Sequence, residues 1–345
     1  MKPLTLPLTD PTPLFEHFRG AYATELLTAA IELDVFSSLA NEPLSGEALG
    51  NRLGLASRPV TVLTTALKAM GLLAEQARLL RLTPLAHEHL LPGGEFYIGD
   101  YIGLAAASPG VREMVVRLKT NRPAGAEDEQ GAAFIFGVGV ESAMEREVTA
   151  RRFTLALAGR ANNVAPVLAE KLPLDGVRCL LDIGGGTGIY SIALLRQHPQ
   201  LRAIVLDGPQ VLKVTQEFAR EYGVADRLSY VAGDMFADAL PTNCEAILLS
   251  NILHDWDAPQ CRLLVQKCAA ALPSEGRLLI HDVFLNDALD GPLPIALYSA
   301  ALFTLTEGRA YSAGEYRDWL TAAGLQPQPI IPTLVHCGVL IGVKP

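Results

Sequence analysis

The chain is short of basic residues, of paired cysteines and of long apolar runs, and each scarcity narrows what it does. Lys and Arg number 28 against 37 Asp and Glu, a formal charge of −9. A protein that grips phosphate backbones wants the opposite balance, so nucleic acid is not an expected partner. The five cysteines (Cys179, Cys244, Cys261, Cys268, Cys337) are scattered and form no C-x-x-C pair. That pattern argues for reduced, mostly buried thiols rather than a disulfide framework or a zinc site. No uninterrupted apolar run reaches the roughly 18 residues of a membrane span. The opening MKPLTLPLTDPTPLFEHF carries no apolar core followed by a small-residue cleavage site, so a secretory signal is not expected either. A cytoplasmic protein without a membrane partner is the expectation. No clustered carboxylate–histidine spacing suggests a metal site, and none is expected.

What is present is a chain of 345 residues, half of them hydrophobic, enough for two domains with sizeable cores. Apolar spacing predicts a helix over Leu14–Leu33, ending near Asp34. The segment PLSGEALGNRLGLASRPVTVLTTALKAMGLL reads as two short helices joined by a Gly54–Ser57 turn, with Ser45 and Ser57 as N-caps. Ala74–Thr83 reads as two short strands, which makes the whole a winged helix-turn-helix. Its second helix has only Lys68 as a base beyond its first turn, too little polar reach for a major-groove reading head. A packing module, serving as a dimer interface, fits better. Residues 121–131 (NRPAGAEDEQG) read as a loop, and 96–172 otherwise as helix, amphipathic from Glu141 to Leu172.

From Arg178 the pattern changes to strand, loop, helix, strand, helix, the signature of a doubly wound sheet. Strands are predicted at Cys179–Ile183, Ala203–Leu206, Leu228–Val231, Ala246–Leu249 and Arg277–Ile280, with a helix over Tyr190–Gln197. Ligands of such sheets bind at the C-terminal strand ends, near the topological switch point. Here every strand end carries a polar or glycine feature: Asp182–Gly188, Asp207, Asp234, Ser250–His254 and His281–Asp282. The loop G-G-G-T-G-I places Ile189 where a dinucleotide fingerprint wants its third glycine. Glycine recurs instead at Gly184, Gly186 and Gly188, and a ribose contact at the next strand end needs no pyrophosphate. Asp207, 25 residues after Asp182, can accept from two ribose hydroxyls, and Asp234 with Met235 and Phe236 suits an adenine.

The runs LLDIGGGTGIYSIALL, IVLDGP, GDMF and SNILHDWD resemble the successive motifs of the hydroxyindole/plant-type (acetylserotonin/caffeate-like) small-molecule O-methyltransferases. The resemblance covers nearly the whole chain and is firmest over 178–325. It implies an α/β protein: a Rossmann-like doubly wound methyltransferase domain with an α-helical winged-helix N-terminal dimerisation domain. The expected boundaries are 1–95 for dimerisation, 96–174 for a helical linker contributing to a substrate pocket, and 175–345 for the cofactor domain. The implied cofactor is S-adenosyl-L-methionine, held by Asp182, Gly184, Gly185, Gly186, Asp207, Gly233, Asp234, Met235, Phe236, Ser250 and Trp256. The implied partners are an aromatic small molecule and a second copy of the chain. Phe134, Phe136, Met144, Tyr298, Leu302 and Phe303 are candidates for an apolar pocket wall.

Transfer of a methyl group to a phenol needs the phenol's proton removed, and a base with a pKa near neutrality does this best. Histidine is the natural choice. His254, just past the fourth strand, matches the family's HDW histidine, the general base, and Asp282 stands at the family's acidic position at the end of the fifth strand. Asp257 is expected to cap the following helix, and His281 to point to the opposite face of its strand from Asp282. The sequence departs from the family in two places. Ala310 replaces a Glu in Gly308-Arg309-Ala310-Tyr311-Ser312, with Glu307 three residues earlier, and Ser250 replaces a Lys. O-methylation of an aromatic or polyketide-like hydroxyl is the leading reading. The alternatives are non-methylating chemistry on the same fold (hydroxylation, decarboxylation or rearrangement), C- or N-methylation, and a winged-helix regulator.

Overall fold

The computed structural model describes residues 2–122 and 147–345. Phe134, Phe136 and Met144 lie outside them. The described residues form two compact units: a sheet unit of 2–13, 147–284 and 314–345, and a helical unit of 14–122 and 285–313. This division differs from boundaries at 95 and 174, because a late segment of the chain returns to the helical unit.

The helical unit begins with α1 (Thr12–Arg19) and α2 (Ala21–Glu32), so the helix expected over Leu14–Leu33 is two helices divided at Gly20. The second stops where Asp34 takes a left-handed φ of 54°. After α3 (Val35–Leu39), α4 (Gly46–Leu53) starts at Ser45, whose hydroxyl accepts from the Ala48 amide at 3.1 Å, and stops at left-handed Gly54. In α5 (Ser57–Ala69) Ser57 is the first helical residue rather than the cap; Ala56 holds the cap position and gives no side-chain bond. Antiparallel β1 (Leu73–Gln76) and β2 (Leu79–Leu82) turn through Ala77 and Arg78, both at positive φ. Two successive positive-φ residues make the tight turn whose twist matches a hairpin. α6 (Pro84–His89), α7 (Gly99–Gly103) and α8 (Pro109–Thr120) follow.

In the sheet unit, α9 (Glu147–Lys171) precedes β3 (Cys179–Ile183), α10 (Ile189–Gln197), β4 (Arg202–Asp207), α11 (Pro209–Tyr222), β5 (Leu228–Ala232), β6 (Ala246–Ser250), α12 (Ala258–Ala271) and β7 (Arg277–Val283). Five parallel strands run in the order β5-β4-β3-β6-β7. Strand β4 lies to one side of β3 and β6 to the other, so the chain reverses direction there. The loops after β3 and β6 therefore border the switch-point crevice. All five expected strands are present within about two residues of their predicted ends, the ordinary uncertainty of strand limits, except that β7 continues through Asp282 to Val283.

After α13 (Leu293–Leu305) and α14 (Ala313–Ala322), three strands complete the sheet. They are β8 (Gln326–Pro327), β9 (Ile331–Pro332) and β10 (Cys337–Val343), none of them foreseen. β10 runs antiparallel to β7, pairing Gly338 with Asp282 and Val339 with His281. Its two glycines hide it from strand propensity, and packing requires both. A Cβ on Gly342 would stand 2.7 Å from Leu320 Cδ2, and one on Gly338 2.7 Å from Ile330 Cγ2. Helix α13 is apolar on every side, the mark of a helix buried all round. Its Leu297, Ala300 and Phe303 share one core with Leu26, Ala29, Leu63 and Leu67 of α2 and α5, which is why the segment belongs to the helical unit.

Gly188 sets the start of α10 with φ +71°, and a Cβ there would lie 2.8 Å from Thr215 Cγ2. Gly188→Ala is expected to lower unfolding free energy by about 1–2 kcal/mol, the cost of a left-handed L-residue. Urea denaturation of the two proteins measures it.

Candidate active site

The strand ends of the sheet unit carry the polar residues that the sequence singled out. At the end of β3, Asp182 is 1% exposed and accepts from Ser191 Oγ at 2.7 Å through Oδ2. Its Oδ1 is buried without a hydrogen-bond partner among the described residues. Burial outweighs the Ser191 bond and pushes its carboxyl up to about 7. The chain then turns through Gly184 and Gly186, both at positive φ, which leaves the loop without side chains between them. A Cβ on Gly185 would meet Asp182 Oδ2 at 2.8 Å and Val205 Cγ1 at 2.9 Å. Only glycine lets this loop lie so close to the strands.

Asp207, at the end of β4, faces that loop. Its Oδ2 accepts from the Gly186 amide at 2.9 Å and its Oδ1 from the Gly208 amide at 2.7 Å. Burial raises this carboxyl and the two amides pull it back, with a net rise. Past β5, Gly233 lies close to Asp238, whose Oδ2 accepts from the Asp234 amide at 2.8 Å. Asp234 Oδ1 accepts from the amides of Phe236 and Ala237 at 2.7 and 3.1 Å, so one oxygen of this exposed carboxylate caps its own turn. Phe236 meets Trp256 edge to face with centroids 4.7 Å apart, and Met235 is half-buried beside it in sequence. The turns after β3, β4 and β5, with Trp256 from the turn after β6, thus offer carboxylates, glycine amides and a half-buried aromatic pair.

Beyond β6, Asn251 takes a φ of 57° and the chain makes a single 3-10 turn over Leu253–Asp255. That turn buries His254 to 3% exposure. His254 Nδ1 lies 2.6 Å from Asp282 Oδ1. The shorter aspartate side chain therefore reaches the ring, because β7 extends three residues past its expected end, to Val283, and carries Asp282 alongside. Asp282 Oδ1 also accepts from the Val283 amide at 2.8 Å, and Oδ2 from the Tyr316 hydroxyl at 3.0 Å. Burial alone would lower the His254 pKa, but the Asp282 and Asp255 carboxylates outweigh it and hold the ring above its ordinary value. Burial works to raise Asp282. The His254 charge and the three hydrogen bonds outweigh it and keep that carboxyl below the usual range. Asp255, 3.7 Å from His254 Nε2, is pushed by burial up to about 7.

Two further residues sit as expected. Asp257 accepts from the Gln260 amide at 3.0 Å and caps α12. His281 points away from Asp282, with Nδ1 at 2.8 Å from Ser250 Oγ and Nε2 at 3.2 Å from Thr333 Oγ1. Burial and then Arg160 drive its pKa down to about 3, so it stays neutral. Ser250 is thereby engaged inside the sheet unit, its hydroxyl also accepting from Asn251 Nδ2 at 3.1 Å.

Comparison with known proteins identifies the frame. Residues 125–326 match the family model of the O-methyltransferase domain, and 15–91 match the O-methyltransferase dimerisation domain. The chain belongs to the O-methyltransferase family. It is an S-adenosylmethionine-dependent methyltransferase. Over 317 residues it is 37% identical to a 3-hydroxy-5-methyl-1-naphthoate 3-O-methyltransferase of Streptomyces sahachiroi, covering 91% of this chain and 89% of that one. It is 30% identical over 334 residues to an L-tyrosine C(3)-methyltransferase of Streptomyces lavendulae, covering 94% and 90%. A crystal structure of an O-methyltransferase family 2 protein from Planctomyces limnophilus, in complex with apigenin, superposes with a TM-score of 0.90 at 48% identity. That match covers 99% of this chain and 98% of the other.

The methyltransferase's remaining candidates lie in the helical unit. Phe303 is 1% exposed in its core and Leu302 5%, while the half-buried Tyr298 ring lies under the Arg19 guanidinium at 3.8 Å. Ala310, in the family's glutamate position, is fully buried, its amide donating to Ser299 Oγ at 3.1 Å. Sequence reasoning overlooked Tyr316 and Arg160. Arg160 on α9 donates to Asn251 Oδ1 at 2.7 Å, and its Nη2 donates to Cys337 Sγ at 2.8 Å. Both are remote in sequence from the HDW turn and match no motif, so spacing gave no signal. Among the described residues no helix is long and apolar enough to cross a membrane.

Proposed function

We propose that this methyltransferase methylates a phenolic hydroxyl of an aromatic or polyketide-like small molecule, with His254 as general base and Asp282 as its orienting partner. The observation that carries the reading is the buried 2.6 Å hydrogen bond between His254 Nδ1 and Asp282 Oδ1. An ionised carboxylate on Nδ1 fixes the proton there and presents Nε2, the opposite ring nitrogen, as the basic one. It also stabilises the imidazolium formed once the acceptor's proton has been taken.

The loop residues fit the cofactor. Asp182 Oδ1 is a buried acceptor lacking a donor among the described residues, and a ligand ammonium or hydroxyl would relieve it. Gly184, Gly185 and Gly186 leave room for backbone to approach a ligand closely. Asp207 would hold the ribose, each of its oxygens having a second lone pair beyond the amides it already accepts from. Asp234, Met235, Phe236 and Trp256 would take the adenine, with Gly233 and Ser250 shaping the turns on either side. S-adenosylmethionine supplies an activated methyl group when bound; the chain's own task is to hold the acceptor and move its proton. Residues 15–91 would pair two copies, and α1 carries Leu14 and Phe18 71% and 80% exposed for that purpose.

The test is a panel of hydroxylated naphthoates and flavones with S-adenosylmethionine, each paired with its pre-methylated ether. Phenols are expected to gain one methyl group on oxygen and the ethers none. Methylation of the ethers, or of no phenol at all, would remove the reading. The tyrosine C-methylating relative motivates a second outcome, since deprotonating a phenol also activates the ring carbon beside it. NMR of the product decides between the two.

A further inference from the structure

We infer that Tyr316 is a positioning residue for the catalytic base: its hydroxyl holds Asp282 in the orientation and charge state that His254 needs. The inference rests on the reading of His254 as base and extends it by one residue. Tyr316 lies in the first turns of α14 and is fully buried. Its hydroxyl donates to Asp282 Oδ2 at 3.0 Å, while Oδ1 of the same carboxylate meets His254 Nδ1 and the Val283 amide. Both oxygens are thus tied, one toward the imidazole and one away from it. A carboxylate held at Oδ1 alone can still rotate about its bond to Cβ; a second donor on Oδ2 stops that rotation.

The ring of Tyr316 is itself fixed. It packs edge to face against Phe284 with centroids 5.4 Å apart and against Trp319 at 5.3 Å. The hydroxyl therefore arrives at Asp282 from a rigid support, as an orienting group requires. Phenylalanine at this position would keep both ring contacts and remove one hydrogen bond. Packing and positioning roles are separable for that reason.

The direction of the effect follows from the charges around the pair. Facing His254 and Asp282 are Asp255 on the same turn, Arg160 on α9, His281 on β7 and Tyr316 on α14. Among these Tyr316 is the donor bonded to the outer carboxylate oxygen. Without it, the negative charge of Asp282 is less well stabilised and falls more heavily on Oδ1. The His254–Asp282 pair then holds its proton more tightly, and the base form appears at higher pH.

The experiment is Tyr316→Phe, read in two ways. In turnover, the acid limb of the pH profile is expected to move up by about half a pH unit, roughly threefold in proton affinity. The rate at neutral pH is expected to fall with KM for the acceptor unchanged. In the protein without substrate, the imidazole resonance of His254, assigned by its loss in His254→Gln, should titrate higher by the same amount. Profiles and titrations that superpose on wild type, in a variant of unchanged melting temperature, would overturn the inference and leave Tyr316 as packing. The NMR arm does not depend on catalysis. If His254→Gln keeps full activity, the general-base reading fails by itself, and the titration still reports whether Tyr316 governs the ring.

Discussion

Replacing His254 with glutamine is expected to lower kcat by about 10²–10⁴-fold, the ordinary range for a removed general base, while leaving the affinity for S-adenosylmethionine unchanged. Glutamine approximates the size of the ring and cannot accept a phenol's proton at neutral pH. The residues of the β3 and β4 loops proposed to hold the cofactor bond to one another and to Ser191, so the substitution does not touch them. The pH dependence carries the sign. Because the Asp282 and Asp255 carboxylates outweigh burial and raise the His254 pKa, activity in the wild type should climb with pH through a midpoint above the ordinary imidazole value of about 6.5. Asp282→Asn removes the carboxylate with the larger effect on His254 and should move that midpoint down, while lowering kcat through loss of the Nδ1 proton's acceptor. Stopped-time assays across pH with a phenol identified in the panel measure both. A His254→Gln enzyme with kcat near wild type would end the base assignment.

Asp207→Ala is expected to weaken S-adenosylmethionine binding by about 10²–10³-fold, since hydrogen bonds to a charged group contribute about 1.5–3 kcal/mol each. The loss has two parts. The ribose loses its acceptor, and the Gly186 and Gly208 amides, now bonded to Asp207 at 2.9 and 2.7 Å, lose theirs. The glycine loop would then be held less firmly in the shape the cofactor meets. Burial raises the Asp207 carboxyl above its ordinary value, so wild-type affinity should decline as pH falls through that raised value, where the carboxylate gains a proton. Isothermal titration of wild type and variant at two pH values reads both effects. A dissociation constant within a few-fold of wild type would exclude Asp207 from the site.

The sequence by itself determined a good deal of this protein. Short, mostly apolar runs, each soon followed by a glycine or a polar residue, place five strands of the sheet, and the chemistry collects where those runs end. The glycine loop, with Ile189 in place of a third glycine, departed from the dinucleotide fingerprint. The order of four motifs named the family. All these signals are local: a strand, its turn and the polar residue just after it lie within about ten residues, so spacing alone can carry them.

The tertiary structure decided what depends on distant partners. Strand β10 is nearly invisible in sequence because Gly338 and Gly342 lower its propensity, yet Leu320 and Ile330 pack so closely that a side chain at either position would force a neighbour to move. Helix α13 lies between the fifth and last long strands in the chain but packs with α2 and α5, through apolar contacts that reach across more than two hundred residues. The reach of Asp282 to His254 could not be judged from side-chain length, since it depended on where β7 stopped. Tyr316 completes the His254–Asp282 chain from 34 residues beyond Asp282. No motif marks it, because a hydrogen bond between buried side chains leaves no periodic trace in sequence and forms only once the sheet and α14 are packed together.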